Sequence, residues 1–299
     1  MRTFEMRKFL TEFLDQFDYP EEAKKAIIEC FDILSADDEA MAVINKHLSS
    51  YAAGSNDEYI PMHAAIIPVA MRLGTPWQTA RLVMDILLSK HLKERYKAKG
   101  ISEQIWFDTV SEFKYKLFET YNTYHIWGCH VTTWWKYFFE MKIFGIGRFQ
   151  YEMTKFGYTY DEGDVHLTPD MKAISVHIPG GMPLTKDLRE ESYRRAKEFF
   201  KDYYFDGSDK ILFMCISWLI YPEHEHMLSP KSNIVDFMHD FKVIDKIEPE
   251  KSHDLWRIFD DAHILPYNML PRNNSLRKAY AERLCNGEKV GEGVGFFIR

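Results

Sequence analysis

Glu152 and His177, in the second half of the chain, are candidates for a general base. Glu152 lies in Arg148–Phe156, where Phe149, Tyr151 and Met153 alternate with Arg148, Gln150 and Glu152. His177 lies in the short apolar run Ala173–Ile178. Alternation and short apolar runs are strand signals. An imidazole titrates close to neutral pH, and a general base must reach the proton it removes. The plainer readings are a solvent-facing strand carboxylate and a packed structural histidine.

Cys215 and Ser217 share one face of the run Ile211–Ile220, which is continuously apolar and reads as a buried strand. A covalent intermediate at Cys215 would want an adjacent base; the favoured reading is a small buried thiol. Ser217 could bond substrate or only a neighbouring backbone group. Pro222–His226 brings two histidines together, but His at i and i+2 do not share a helix face, so the segment reads as a polar surface turn. Cys129 and His130 lack a third ligand, and no metal is expected. Gly291, Gly293 and Gly295 are followed by no helix and make no dinucleotide fingerprint. There is no phosphate-loop signature and no G-x-S-x-G elbow.

These groups sit in a chain of 299 residues, 46% hydrophobic and 28% charged, enough for two ordinary domains with real cores. The formal net charge is −7, and the most basic stretch, Lys90–Lys99, is interrupted by Glu94, so nucleic-acid binding is not expected. The four cysteines are widely spaced, which suits free thiols in a reducing compartment. The first residues show no leader pattern and no apolar window is long enough for a membrane span, so a cytoplasmic protein is expected.

The first half reads as successive helices. Phe4, Phe9, Leu10, Phe13, Leu14 and Phe17 mark one face of the first, and Ile27, Phe31 and Leu34 one face of the second. A helix over about 39–48 follows, then a polar loop at 51–58, a helix over 61–73 strained by Pro68, and one from Thr75-Pro76 to about Ala98 with Gly100 as its stop. Ser102 starts another, running through Tyr115. Residues 133–144 are aromatic nearly all round and should be buried on several sides. Trp134, Trp135, Tyr137, Phe138 and Phe139 could line an apolar wall, though core packing is the plainer role. The character changes at Gly145-Ile146-Gly147. Strands are expected at 148–156, 173–178, 211–220, 241–247, 255–259 and 295–298, with helices at 186–203, 233–239 and 275–285. The expected division is 1–145 and 146–299.

Gly147-Arg148-Phe149-Gln150-Tyr151-Glu152, Val176-His177-Ile178-Pro179, Cys215-Ile216-Ser217-Trp218-Leu219 and Ser232-Asn233-Ile234 carry a resemblance. With them the chain resembles a bacterial family of acyltransferase-domain proteins that join a helical N-acyltransferase N-terminal domain to a GNAT-like C-terminal domain. The resemblance implies an α+β chain, an all-helical part followed by a mixed sheet with flanking helices. It implies that a central strand opens from its neighbour and pairs with the pantetheine arm of an acyl-CoA. Val176 and Ile178 would supply that backbone, and Gly180, Gly181 and Thr185 the pyrophosphate loop and helix cap. Asn233 fits the start of a later helix. Cys215, Ser217 and Trp218 would stand on the substrate side.

The chain departs from the family's usual loop. Pro179-Gly180-Gly181-Met182-Pro183-Leu184-Thr185 has two prolines, which remove two donors, and Asp187 follows in the first helical turn, offset in part by Lys186. The later helix offers Phe237, Met238 and His239 where the family often has a tyrosine. The resemblance implies transfer of an acyl group from an acyl-CoA, with acetyl-CoA the first donor to consider, to a small amine or similar small-molecule acceptor. The rivals are a non-catalytic small-molecule sensor on a degenerate GNAT scaffold, and a protein-interaction module docking through the aromatics around Trp134. The oligomeric state is not legible.

Overall fold

A computed structural model describes residues 2–131, 133–252 and 254–299. The chain divides into two compact units, 1–145 and 146–299. The first is helical. Its elements are α1 (Thr3–Gln16), α2 (Glu21–Ser35), α3 (Asp38–Ala52), α4 (Tyr59–Arg72), α5 (Trp77–Ala98), α6 (Glu103–Val110), α7 (Glu112–Tyr124) and α8 (Lys136–Phe139).

α5 is the core helix of this unit, and every residue from Thr79 to Ser89 is buried. A helix apolar on all sides has to be surrounded, and α1, α2, α3, α4 and α6 all pack on it. Among its buried polar residues is Asp85. Its carboxylate meets His63 Nε2 at 2.9 Å, and Arg81 donates to the other ring nitrogen of His63. Burial pushes the Asp85 carboxyl up.

Two expectations for this unit are corrected. Residues 103–124 form two helices broken at Ser111. Residues 133–144 are not one element but the four-residue α8 and the start of a strand. Trp135, Phe138 and Phe139 are buried, and Trp135 packs on Phe113 with ring centroids 4.3 Å apart. That burial removes most of the surface on which a docking role for the aromatics depends.

The second unit carries β1 (Ile143–Ile146), whose first residues lie before the division, then β2 (Phe149–Lys155), β3 (Tyr160–Glu162), β4 (Val165–Leu167), β5 (Lys172–His177), α9 (Lys186–Tyr203), β6 (Leu212–Ser217), α10 (His224–Met227), α11 (Asn233–Met238), β7 (Lys242–Ile247), α12 (Leu255–Phe259), α13 (Ser275–Cys285) and β8 (Glu292–Ile298). Six strands form one sheet in the order β1-β2-β5-β6-β8-β7, and β3 and β4 form a separate hairpin. The expected α+β architecture, helices then a mixed sheet, is what the chain adopts.

The strand expected at 255–259 is instead α12. A five-residue apolar run does not reveal its period. Here Leu255, Ile258 and Phe259, at helical spacing, fill a cluster with Leu270, Tyr280 and Val290. The terminal glycines answer to close approach. A Cβ at Gly293 would lie 2.0 Å from the carbonyl oxygen of Ile220, and one at Gly291 2.0 Å from that of Ile247. Both obstacles are backbone and cannot swing aside. Gly293→Ala is therefore expected to cost about 3 kcal/mol or more of stability, by the overpacking mechanism, read as a lower urea midpoint. A neutral result would mean that β8 shifts freely.

Among the described residues no helix is long and apolar enough to cross a membrane.

Candidate active site

The site begins with a parting of strands. β5 pairs antiparallel with β2 along its whole length, from Lys155↔Lys172 to Gln150↔His177. On its other side it pairs parallel with β6 only at Ile174↔Phe213 and Ser175↔Met214. β6 continues paired with β8 as far as Ser217↔Gly293. Beyond Ser175, then, the β6-side edge of β5 is open, and so is the β5-side edge of Cys215–Ser217. Open strand edges present unpaired backbone groups that an extended ligand can take up. Val176 lies on that edge, with Ile178 just past it.

Glu152 and His177 meet at the mouth of this opening. His177 stands opposite Gln150, so Glu152 is its diagonal neighbour on the same face, within reach across an antiparallel pair. His177 Nε2 and Glu152 Oε2 are 3.0 Å apart, and each side chain is 26% exposed. Strand parity explains the pairing. Tyr151 and Val176 turn to the other face, where the Tyr151 hydroxyl meets Ser192 Oγ of α9 at 2.7 Å. The dyad thus lies on the face away from α9. Farther along, Phe156, Leu167, Ala173, Met214 and Phe296 close that face with the β3–β4 hairpin.

The loop after β5 leads into α9. Gly180, Gly181 and Thr185 are exposed, and Gly181 has φ +81°, the left-handed region that favours glycine. Thr185 is the N-cap of α9 by position, but its side chain makes no cap bond. Arg189, fully buried in the first turns of α9, donates to Leu184 O at 2.8 Å and to Asp236 and Asp240, each at 2.7 Å. The hydrogen bond from Arg189 holds the Asp236 carboxyl below the usual range. Arg189 therefore ties the loop to α11. Asn233 is exposed at the first position of α11, and Ser232 is the cap, its Oγ accepting from Ile234 N at 3.2 Å.

Two family models cover nearly the whole chain. Residues 8–141 match the N-acyltransferase N-terminal domain and residues 143–297 the GNAT-like C-terminal domain. The chain belongs to the family that joins these two domains. No curated protein is significantly similar in sequence. Among solved structures, an acyltransferase in complex with decanoyl-CoA and teicoplanin matches with TM-score 0.74 and 19% identity, over 96% of this chain and 87% of that one. An acyltransferase in complex with decanoyl-CoA matches with TM-score 0.71 and 17% identity over 96% and 86%, and one with CoA and 10C-teicoplanin with TM-score 0.72 and 18% identity over the same shares. At these identities the likeness is one of fold.

Within this GNAT-like unit the remaining candidates do not join the dyad. Ile174 pairs with Phe213, so Phe213, Cys215 and Ser217 point to the α9 face, opposite Glu152 and His177. Cys215 is fully buried, and burial pushes its thiol well up, away from the thiolate a nucleophile needs. Ser217 Oγ accepts from Leu219 N at 3.2 Å and so caps the short 3-10 turn Trp218–Ile220. Trp218 packs edge-on to His224 and Tyr280. The face of the dyad offers Ile216 instead, a side chain 38% exposed on β6 beyond the parting. The apolar run hid it, because only register tells which residues of a buried strand face the opening.

His224 corrects the surface-turn reading of Pro222–His226. It is fully buried, with Nε2 2.8 Å from the Tyr280 hydroxyl, while Glu225 and His226 are exposed. Burial lowers its pKa from the ordinary 6.5 to about 4. Between those values the unfolded chain takes up a proton that the folded chain refuses, so stability falls as pH falls through the window. The loss from pH 7 to 4 attributable to this group is of order 3 kcal/mol. Urea unfolding at both pH values should show His224→Gln losing that much less than the parent; equal losses would mean the buried ring is protonated in the fold. Among the described residues no group of three or more His, Cys, Asp or Glu is placed to hold a metal ion.

Proposed function

We propose that this protein transfers an acyl group from an acyl-CoA to a small nucleophile, an amine foremost, by direct attack. The observation that carries the reading is the parting of β5 from β6 with the Glu152–His177 dyad at its mouth. The pantetheine arm would lie along the open edge at Val176 and Ile178, and the pyrophosphate against Gly180, Gly181 and the start of α9. Backbone N–H groups of the open strand would polarise the thioester carbonyl, a donor fixed before the charge develops. The dyad would take the proton from the attacking nucleophile, with one partner as base and the other orienting it. Cys215 has no covalent part, given its burial and its face.

The solved relatives by fold hold decanoyl-CoA, octanoyl-CoA and CoA, so the donor series should run from acetyl-CoA to medium chains. One of them holds teicoplanin, which makes a small molecule the first acceptor class to try. The test is release of free CoA thiol from each donor with a panel of amines, with the product checked by mass for the added acyl group. Amine-dependent release with acylated product is expected. No release across donors and acceptors would overturn the reading. The sensor reading keeps one observation in its favour: α11, Asn233–Met238, contains no tyrosine to protonate a leaving thiolate. Saturable acyl-CoA binding without turnover would select it.

A further inference from the structure

We propose that Arg148 is a positioning residue that holds the loop after β5 from behind and turns its peptide N–H groups toward the pyrophosphate; the proposal rests on the acyl-CoA reading above. Arg148 is buried at the turn between β1 and β2. Its Nη1 donates to Pro179 O and its Nε to Pro183 O, both at 2.9 Å. One planar guanidinium thus spans the two ends of a five-residue loop, a geometry suited to its forked donors. Arg189 takes the next carbonyl, Leu184 O.

These contacts set the direction of three peptide groups. Among the described residues no peptide is cis, and in a trans peptide the carbonyl and the following N–H point opposite ways. With the carbonyls of Pro179, Pro183 and Leu184 turned to the two guanidiniums, the N–H groups of Gly180, Leu184 and Thr185 point away from them. None of the three finds an acceptor among the described residues. They adjoin the uncapped first turn of α9, and converging N–H groups with a helix N-terminus suit an anion.

The arrangement also accounts for the prolines. Pro179 and Pro183 lack the N–H of the peptides whose carbonyls are Ile178 O and Met182 O. The three outward donors belong to other peptides, so neither proline removes one of them. What the prolines do is fix φ at both ends of the span that Arg148 bridges.

The test titrates the full chain with an acyl-CoA and with the matching acyl-pantetheine, which keeps the thioester and the arm but lacks the pyrophosphate and the nucleoside beyond it. Arg148→Met should weaken acyl-CoA by about tenfold or more and leave acyl-pantetheine within about twofold. Arg148→Lys, with a single donor head, should fall between and guards against a poorly folded methionine variant. Equal losses for both ligands would reduce Arg148 to a general structural role and overturn the proposal, as would an unchanged acyl-CoA affinity. If the parent binds acyl-pantetheine but gains nothing from the pyrophosphate, the loop proposal fails alone. If the parent binds neither, the acyl-CoA reading itself fails.

Discussion

Glu152→Gln lowers kcat by about a hundredfold or more while the affinity for acyl-CoA stays within about twofold. That is the expected result if the dyad supplies the base, since positioned proton transfer is worth about 10²–10⁴ in rate. Glutamine keeps the shape of the side chain and an acceptor oxygen, so the β2–β5 ladder is undisturbed. His177→Ala should fall by a similar factor. The double variant should be no slower than the slower single, because residues that act as a unit are not additive. The geometry behind this is the 3.0 Å contact on a face that carries neither Cys215 nor Ser217. Two independent losses that multiply would mean the residues serve separate purposes. Full turnover in both singles would remove the dyad from the chemistry.

Arg189→Met should cost the GNAT-like unit a large part of its stability. Arg189 is fully buried and its guanidinium meets Asp236, Asp240 and Leu184 O. Removing it leaves Asp240, 12% exposed, with the Tyr193 hydroxyl at 3.0 Å. Breaking a buried pair from one side costs about 3–5 kcal/mol, because an uncompensated charge remains. Asp236 is half exposed and its share is screened, so the lower end, about 3 kcal/mol, is the expectation. Pairing Arg189→Met with Asp240→Asn should recover part of the loss in the urea midpoint, since the stranded charge is then gone. No recovery would mean that the packing of the arginine stem dominates.

The elements that position the site were largely legible. Alternation from Arg148 to Phe156 located β2 and put Glu152 on the face opposite Tyr151. The short apolar run gave β5, and Thr185 marked the start of α9. Two strands with His177 and Glu152 could be proposed as neighbours, but their hydrogen bond depends on a one-residue register that composition does not encode. The same dependence hid Ile216 and the fact that Cys215 and Ser217 face α9, away from the dyad. Arg148 stood in the stretch that carried the family resemblance without a role, because its partners are backbone carbonyls more than 30 residues away. His224 was missed for a similar reason: its partner Tyr280 comes from α13, 56 residues on. Residues 255–259 failed on length, since five apolar residues fit a strand and a helix equally well.

Calorimetric titration of the intact protein with acyl-CoAs from acetyl to decanoyl, with free CoA as competitor, tests the central claim most directly. The account predicts saturable binding that free CoA competes away and that persists in Glu152→Gln. Absence of binding across the whole series would contradict it, because the open edge of β5 and the loop after it would then hold no donor.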